Sequence, residues 1–310
     1  MLETRTAGDP ADVTIVFTDL SPARLSATMT KMGTPVCAEV MRHWMEEQDL
    51  RLRTMAKDLA GGHSPDRDTP FERITRLIAQ SEAAGNPSFS IDTKAQEHLG
   101  KLFRAGRGRS TQAFHACDHA VPRWADGVLI PHGIDDRVRN RGPITLGLSH
   151  DTSQCACESF RWYWNRMGTR CSPEATSLLW LCDCGGSNAA NQSLFKHDVQ
   201  GLADQLGVEM RVAHYPSSCS KYYWIERRLF PHSTRACQGR LFDTLDTVVT
   251  FMRKASTSPG LRTTVNVMRR HDETGRKATA QMKQNLRIVF DNLLPKWNYR
   301  AIPQDATVIN

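Results

Sequence analysis

No run of eighteen or more apolar residues occurs in this 310-residue chain, and its first residues set Glu3 and Arg5 among polar neighbours rather than a basic stub before an apolar core. A membrane span and a secretory leader are therefore not expected, and the reading is a soluble, cytoplasmic protein. Internal repeats and low-complexity tracts are also missing, which argues against repeat arrays and biased, disordered segments. Cysteine pairs at C-x2-C spacing, the common zinc-ligand signature, do not occur. The nine cysteines include two C-x-C pairs, Cys155/Cys157 and Cys182/Cys184, but lack the regular framework of a small disulfide-stapled domain. Reduced, mostly small buried thiols are the expectation, with a zinc site as the sharper alternative.

What is present suffices for a full core: 40% of residues are hydrophobic, and the length favours one large domain with a smaller one. The formal charge of +7 is unevenly spread. Residues 1 to 86 hold ten Lys/Arg against thirteen Asp/Glu, whereas residues 221 to 287 hold fourteen against five. A basic second half suits a polyanion, because each phosphate neutralised releases condensed counterions. A merely solvated basic face is the competing reading.

Four regions follow from the punctuation. Residues 1–20 read as irregular, broken at Gly8-Asp9-Pro10. Residues 21–85 read as helical: Pro22 to Lys31 and Ala38 to Glu47 around Met32-Gly33-Thr34-Pro35, the outline of a helix-turn-helix, then a Gly61-Gly62 linker and a helix over Pro70 to Ala84. The segment is acidic, which weighs against DNA binding by it. Residues 86–255 form the core and 256–310 a basic C-terminal extension.

Within the core, Phe89 and Ile91 alternate with serines up to Asp92, predicting a strand that ends on a carboxylate. Two further strands are expected at Val128 to Ile134 and Ile144 to Leu148. Asp151 is expected to cap a helix that runs through Trp162, Tyr163 and Trp164, of which one or two pack inward. The continuous apolar run Leu178 to Cys182 predicts a strand covered on both faces, ending at Asp183. A helix from Gln192 to Leu206, a last strand over Val208 to Ala213 and a helix bearing Glu226 complete the series. Three strands, helix, strand, helix, strand, helix is the RNase H-like α/β layout, a mixed sheet flanked by helices.

Reactive groups of such sheets gather at the carboxyl ends of strands. Asp92 and Asp183 occupy two such ends, and Glu226 reaches the same edge from a helix. Three hard oxygen donors suit Mg²⁺ or Mn²⁺, and two ions about 4 Å apart would stabilise the attacking and leaving oxygens of a displacement at phosphorus. Taken singly, each acid has an ordinary role as a turn cap or ion-pair partner; their joint placement favours the catalytic one. His150, Asp151 and Glu158 are candidates for an extra ligand, while His119 and His214 fit structural roles better. Lys94 and Lys221, near the acids, and Arg227 and Arg228 beside Glu226 are candidate DNA contacts.

The chain resembles the Rhodopirellula-type DDE transposase family of bacterial insertion sequences from about Gly61 to Pro303, more weakly toward the N-terminus. The segments that carry the likeness are SPDRD at 64 to 68, SIDTK at 90 to 94, NRGPI at 140 to 144 and SHDTSQCACESF at 149 to 160, then CDCGGSN at 182 to 188, HYP at 214 to 216, SKYYWIERRLF at 220 to 230, TSPGL at 257 to 261 and WNY at 297 to 299. The resemblance implies an RNase H-like core, metal-dependent transposition, binding to element ends and target DNA, and a homo-oligomer on DNA. It makes Asp92, Asp183 and Glu226 the first, second and third acids. The sequence departs from the family pattern at Cys184, where glycine is usual, at Tyr223, where asparagine is usual, and at Ser217-Ser218 and Ala120-Val121. Relatives also tend to be longer at the N-terminus. A truncated or decayed copy that binds DNA without catalysis, an RNase H-like host nuclease, and a regulator using residues 22 to 49 are the alternatives carried forward.

Overall fold

A computed structural model describes residues 6–8, 16–53, 68–111, 113, 115–117, 122–185, 193–216, 219, 222–273 and 275–304. The chain divides into two compact units, residues 1–60 and 61–310. The Gly61-Gly62 linker, His119 and Lys221 lie outside the described residues.

In the first unit the stretch expected to be irregular contains a short antiparallel pair, β1 (Thr6–Gly8) and β2 (Val16–Thr18). Helices α1 (Pro22–Lys31) and α2 (Ala38–Glu47) form where expected. Ser21 caps α1 by accepting from Arg24 N, and Gly33 turns the chain at φ 88°, a left-handed conformation that glycine adopts without a Cβ clash. Leu25, Met41 and Met45 make a small core between the two helices. Arg42 pairs with both Glu39 and Glu46, so the basic group central to α2 is neutralised within its own helix.

The second unit opens with α3 (Asp68–Ala83) and continues through β3 (Ser88–Thr93), β4 (Glu97–Leu99), β5 (Gly127–Asp136), β6 (Arg141–Gly147) and α4 (Ser153–Tyr163). Then come α5 (Thr169–Cys171), β7 (Ser177–Cys182), α6 (Ser193–Leu206), β8 (Glu209–His214), α7 (Trp224–Arg228), α8 (Phe230–Ala236) and α9 (Leu245–Met252). The expected last strand is not the last. β9 (Arg262–Met268), α10 (Ala280–Gln284), β10 (Ile288–Phe290) and β11 (Asn298–Ala301) follow, all within the segment read as a basic extension. β10 and β11 are short, which hid them from a periodicity reading, and β9 lies in a stretch read for its charge rather than its pattern.

The sheet order is β10-β11-β8-β7-β3-β5-β6-β9, with β4 on β5. β3, β7 and β8 run parallel at the centre, and β5 lies antiparallel to β3. Strand alternation sorts the apolar side chains into two cores. On one face Leu179, Leu181, Ile144 and Leu146 pack against α3, α7, α8 and α9 through Ile74, Ile78, Ile225, Leu229 and Val248. On the other, Phe89, Ile91, Trp180 and Val212 meet Phe160, Tyr163 and Trp164, and Phe195 and Val199 of α6. This is the mixed, helix-flanked RNase H-like architecture expected, enlarged at both edges. Of the aromatic triplet, Tyr163 and Trp164 are buried and Trp162 only partly so. Among the described residues no helix is long and apolar enough to cross a membrane.

Candidate active site

β3 and β7 bring the first two acids together by register alone. Ile91 pairs with Cys182 across the parallel ladder, so Asp92 and Asp183 are the next residues on adjacent strands, about 5 Å apart in the backbone. Ile91 and Cys182 point into the second core, so alternation directs both carboxylates to the opposite face, the one covered by α3 and α7. The 91-residue separation in sequence is closed by one crossover.

The third acid depends on two glycines. Gly133 lies opposite Asp92 in the β3–β5 ladder, and a Cβ there would stand 2.5 Å from Phe230 and 2.9 Å from Ile225. A Cβ on Gly142 of β6 would come within 2.3 Å of Leu229. Both absences let α7 and α8 settle directly on the sheet. Ile225 faces the sheet, and Glu226, one position on, is half-buried beside Asp92.

The electrostatics agree with this convergence. Burial, then the charge of Asp183 and those of Glu226 and Asp151, push Asp92 up to about 7, against a single lowering bond from Thr93 N at 2.7 Å. Burial raises Asp183 to about 6, offset in part by Gly185 N at 3.0 Å and reinforced by Asp151. Glu226 is raised by burial and eased by Lys94. Around Asp92 every nearby charge repels its ionised form, a cluster that a divalent cation would relieve. Among the described residues no three His, Cys, Asp or Glu side chains are drawn together around a single point that could hold an ion. The acids stand side by side as separate oxygen donors, and the donor chemistry fits Mg²⁺ or Mn²⁺.

Asp151 differs from its expected role. Thr152 caps α4 by accepting from Cys155 N at 3.1 Å, because its extended backbone places the hydroxyl over the first turn. Asp151 instead accepts from the Thr93 hydroxyl at 3.3 Å and adds its charge to those of Asp92 and Asp183. The signal was the His-Asp step before a strong cap, read one residue early. Glu158 pairs with Arg161 along α4, away from the acids. His214 is fully buried, with Nδ1 2.8 Å from Trp297 O.

The candidate DNA contacts divide. Lys94 is near Glu226 but pairs with Glu97, a buried acid that also holds Arg104. Arg227 is exposed on α7, with its guanidinium 5.9 Å above the Tyr222 ring. Arg228 projects from the other side of the helix, about 200° from Glu226, and binds Asp135 at 2.9 Å toward the opposite end of β3. Other members of the basic stretch are also engaged: Arg276 grips Asp198 through both terminal nitrogens, and Arg253 donates to Val265 O. Tyr223 is buried, stacked on Tyr215 at 4.7 Å with its hydroxyl donating to Pro216 O. None of the nine cysteines is in a disulfide. Five are buried, while Cys37, Cys117 and Cys171 are exposed.

A family described as the Rhodopirellula transposase DDE domain matches residues 1–303. Curated protein sequences contain no match to the chain. Among solved structures it is similar to the Mos1 transposase paired-end complex with left transposon end, at 13% identity and TM-score 0.44 over 75% of this chain and 65% of that one. The Mos1 mariner paired-end complex with Mn gives 12% and 0.44 over 75% and 65%. A pre-cleavage Mos1 transpososome gives 10% and 0.45 over 75% and 66%. The chain thus spans slightly under two thirds of the Mos1 chains in these three structures.

Proposed function

We propose that this chain, which belongs to the Rhodopirellula transposase DDE domain family, is a transposase that cleaves insertion-sequence ends and joins them to target DNA. The observation that carries the reading is the register pair Asp92 and Asp183 with Glu226 beside them on one face of the sheet. Asp92, Asp183 and Glu226 are the residues that would hold divalent ions. Bound there, the ions supply Lewis-acid stabilisation of the attacking and leaving oxygens at phosphorus. Asp92 has both other acids near enough to raise it and would contribute an oxygen to whatever ions they hold. Asp183 is oriented by Gly185 N, and the Thr93 amide fixes one oxygen of Asp92, leaving the remaining lone pairs for a cation. Arg227 lies on the exposed side of α7 and is the best placed of the basic candidates to meet the DNA backbone. DNA ends and target are the proposed partners, with a homo-oligomer holding two ends. The test is Mg²⁺-dependent nicking and joining of DNA carrying the element's terminal repeats; activity surviving Asp183→Asn overturns the assignment.

One observation favours a second reading, a decayed copy that binds DNA without turnover. Tyr223 fills a packed, aromatic position where the resemblance expects an asparagine able to orient a ligand or water. Tyr223→Asn separates the two: nicking that is absent in the parent and gained by this change identifies decay.

A further inference from the structure

The WNY segment at 297 to 299 takes no part in the acid site, yet its middle residue is unexplained by packing. Trp297 O accepts from His214 N at 3.1 Å, and Tyr299 is buried in the second core. Asn298, 3% exposed, has no hydrogen-bond partner for either Oδ1 or Nδ2 among the described residues. An unsatisfied buried amide is unfavourable, because its lost hydration is not repaid by a partner. A fold that carries one at a cavity wall is poised for a ligand that supplies the missing partners.

Asn298 lines a cleft of about 370 Å³ between α3 and the β10-β11-β8 edge of the sheet. Arg73, Arg211 and Arg300 line it too. Arg73 pairs with Asp291, while Arg211 and Arg300 share Glu209, so three guanidinium groups meet two carboxylates and keep N–H donors to spare. Val289 and Phe290 of the edge strand, 40% and 50% exposed, border the opening. Asn298 pairs with Ala213, which belongs to the core on the side of Asp92 and Asp183. The amide is therefore on the same face of the sheet as the acids and level with Leu181, two residues before Asp183, so two strand spacings across and two residues along put it about 12 Å from Asp183.

We propose that this cleft binds one unstacked nucleotide of the DNA strand that passes the acids. The Asn298 amide offers a donor and an acceptor to a base edge, the arginines attract the phosphate, and Val289, on the Arg300 side of its strand, meets the base face. A duplex is too wide for this volume, so the site adds a requirement for unpaired DNA next to the cut. The inference rests on the DNA reading above. A free mononucleotide presents the same chemistry, and the experiment separates the two sources.

Binding of a short fluorescent single strand to the full chain is measured by anisotropy in EDTA, with dAMP and inorganic phosphate as competitors. Asn298→Asp and Val289→Glu are each expected to weaken single-strand binding about tenfold or more. Thr264→Glu, the same charge change on exposed β9 at the far edge, is expected to alter it less than about twofold. A photoreactive base beside the cut should crosslink within residues 288 to 300. Should Asn298→Asp fail to fold, Val289→Glu at the opening decides alone. Single-strand binding by Val289→Glu equal to the parent, with no crosslink there, overturns the proposal. If only dAMP binding then suffers, the occupant is a free nucleotide and the claim for the strand falls. Parent nicking, assayed in parallel, keeps the two readings apart: intact nicking with indifferent variants removes the cleft alone, whereas absent nicking removes the transposase reading.

Discussion

The two ends of the β3–β5 pair both carry carboxylates withdrawn from water, fully at one end and in part at the other, and they are treated in opposite ways. At the end near Ser90 and Phe89, Asp135 and Asp136 of β5 are fully buried and matched: Asp135 with Arg228, Asp136 with Arg139 and the Tyr163 hydroxyl. Burial raises Asp135 to about 6, but its guanidinium neighbours Arg228 and Arg137 pull the other way. At the other end Asp92 meets only like charges. Burial is common to both ends; the sign of the neighbours differs. A matched buried acid is part of the scaffold, and an unmatched group of acids is an excess of negative charge that a cation would relieve.

The contrast breaks most severely by removing an acid from each end. Asp183→Asn is expected to lower nicking by on the order of 10³-fold or more, about 4 kcal/mol of barrier, while the metal-free protein melts no lower than the parent. Asp136→Ala should do the reverse, lowering stability by about 3–5 kcal/mol in a denaturant titration because Arg139 and Tyr163 lose a buried partner. Next in size, saturating Mg²⁺ or Mn²⁺ should stabilise the parent by about 2.7 kcal/mol at a hundred times its dissociation constant. That gain should vanish in Asp92→Asn when followed by thermal melting.

Smaller is the pH effect on metal-free protein. Asp92 and Asp183 take up protons when folded near pH 7 and 6, above the 3.8 of the ordinary carboxyl. The folded state therefore binds more protons in that window, so stability rises as pH falls from about 7 toward 4 and is lost as pH rises through 6 to 7. Melting at pH 5 against pH 8 measures it, and Asp92→Asn should flatten the slope. The least effect is expected from Arg227→Ala: weaker DNA binding and a salt dependence shallower by about one unit. Arg228→Ala should instead destabilise the fold, since Asp135 stays buried.

Much of this was legible beforehand. Serine alternation up to Asp92 and the apolar run up to Asp183 declared two strands ending on acids, and the crossover between them made the strands parallel neighbours. Glu226 was reachable from its motif. What escaped lay in tertiary context. Nothing local distinguishes Arg227 from Arg228; only the docking of α7 on Gly133 and Gly142 turns one outward and the other to Asp135. The cap fell on Thr152 rather than Asp151 because the hydroxyl of the residue next to the first turn reaches its amides. Strands β10 and β11 were missed because three or four residues carry too little periodicity, and seven-residue β9 because its segment was read from its charge.

The long crossover between β3 and β7 also has a bearing on when in synthesis the proposed site can assemble. During synthesis Asp92 emerges long before its neighbour, and no local contact holds its place. Only after the segment through Arg228 has been made can all three acids share an edge. Shorter nascent chains and N-terminal fragments therefore lack the assembled acid edge, and the proposed site can form only when translation is well advanced.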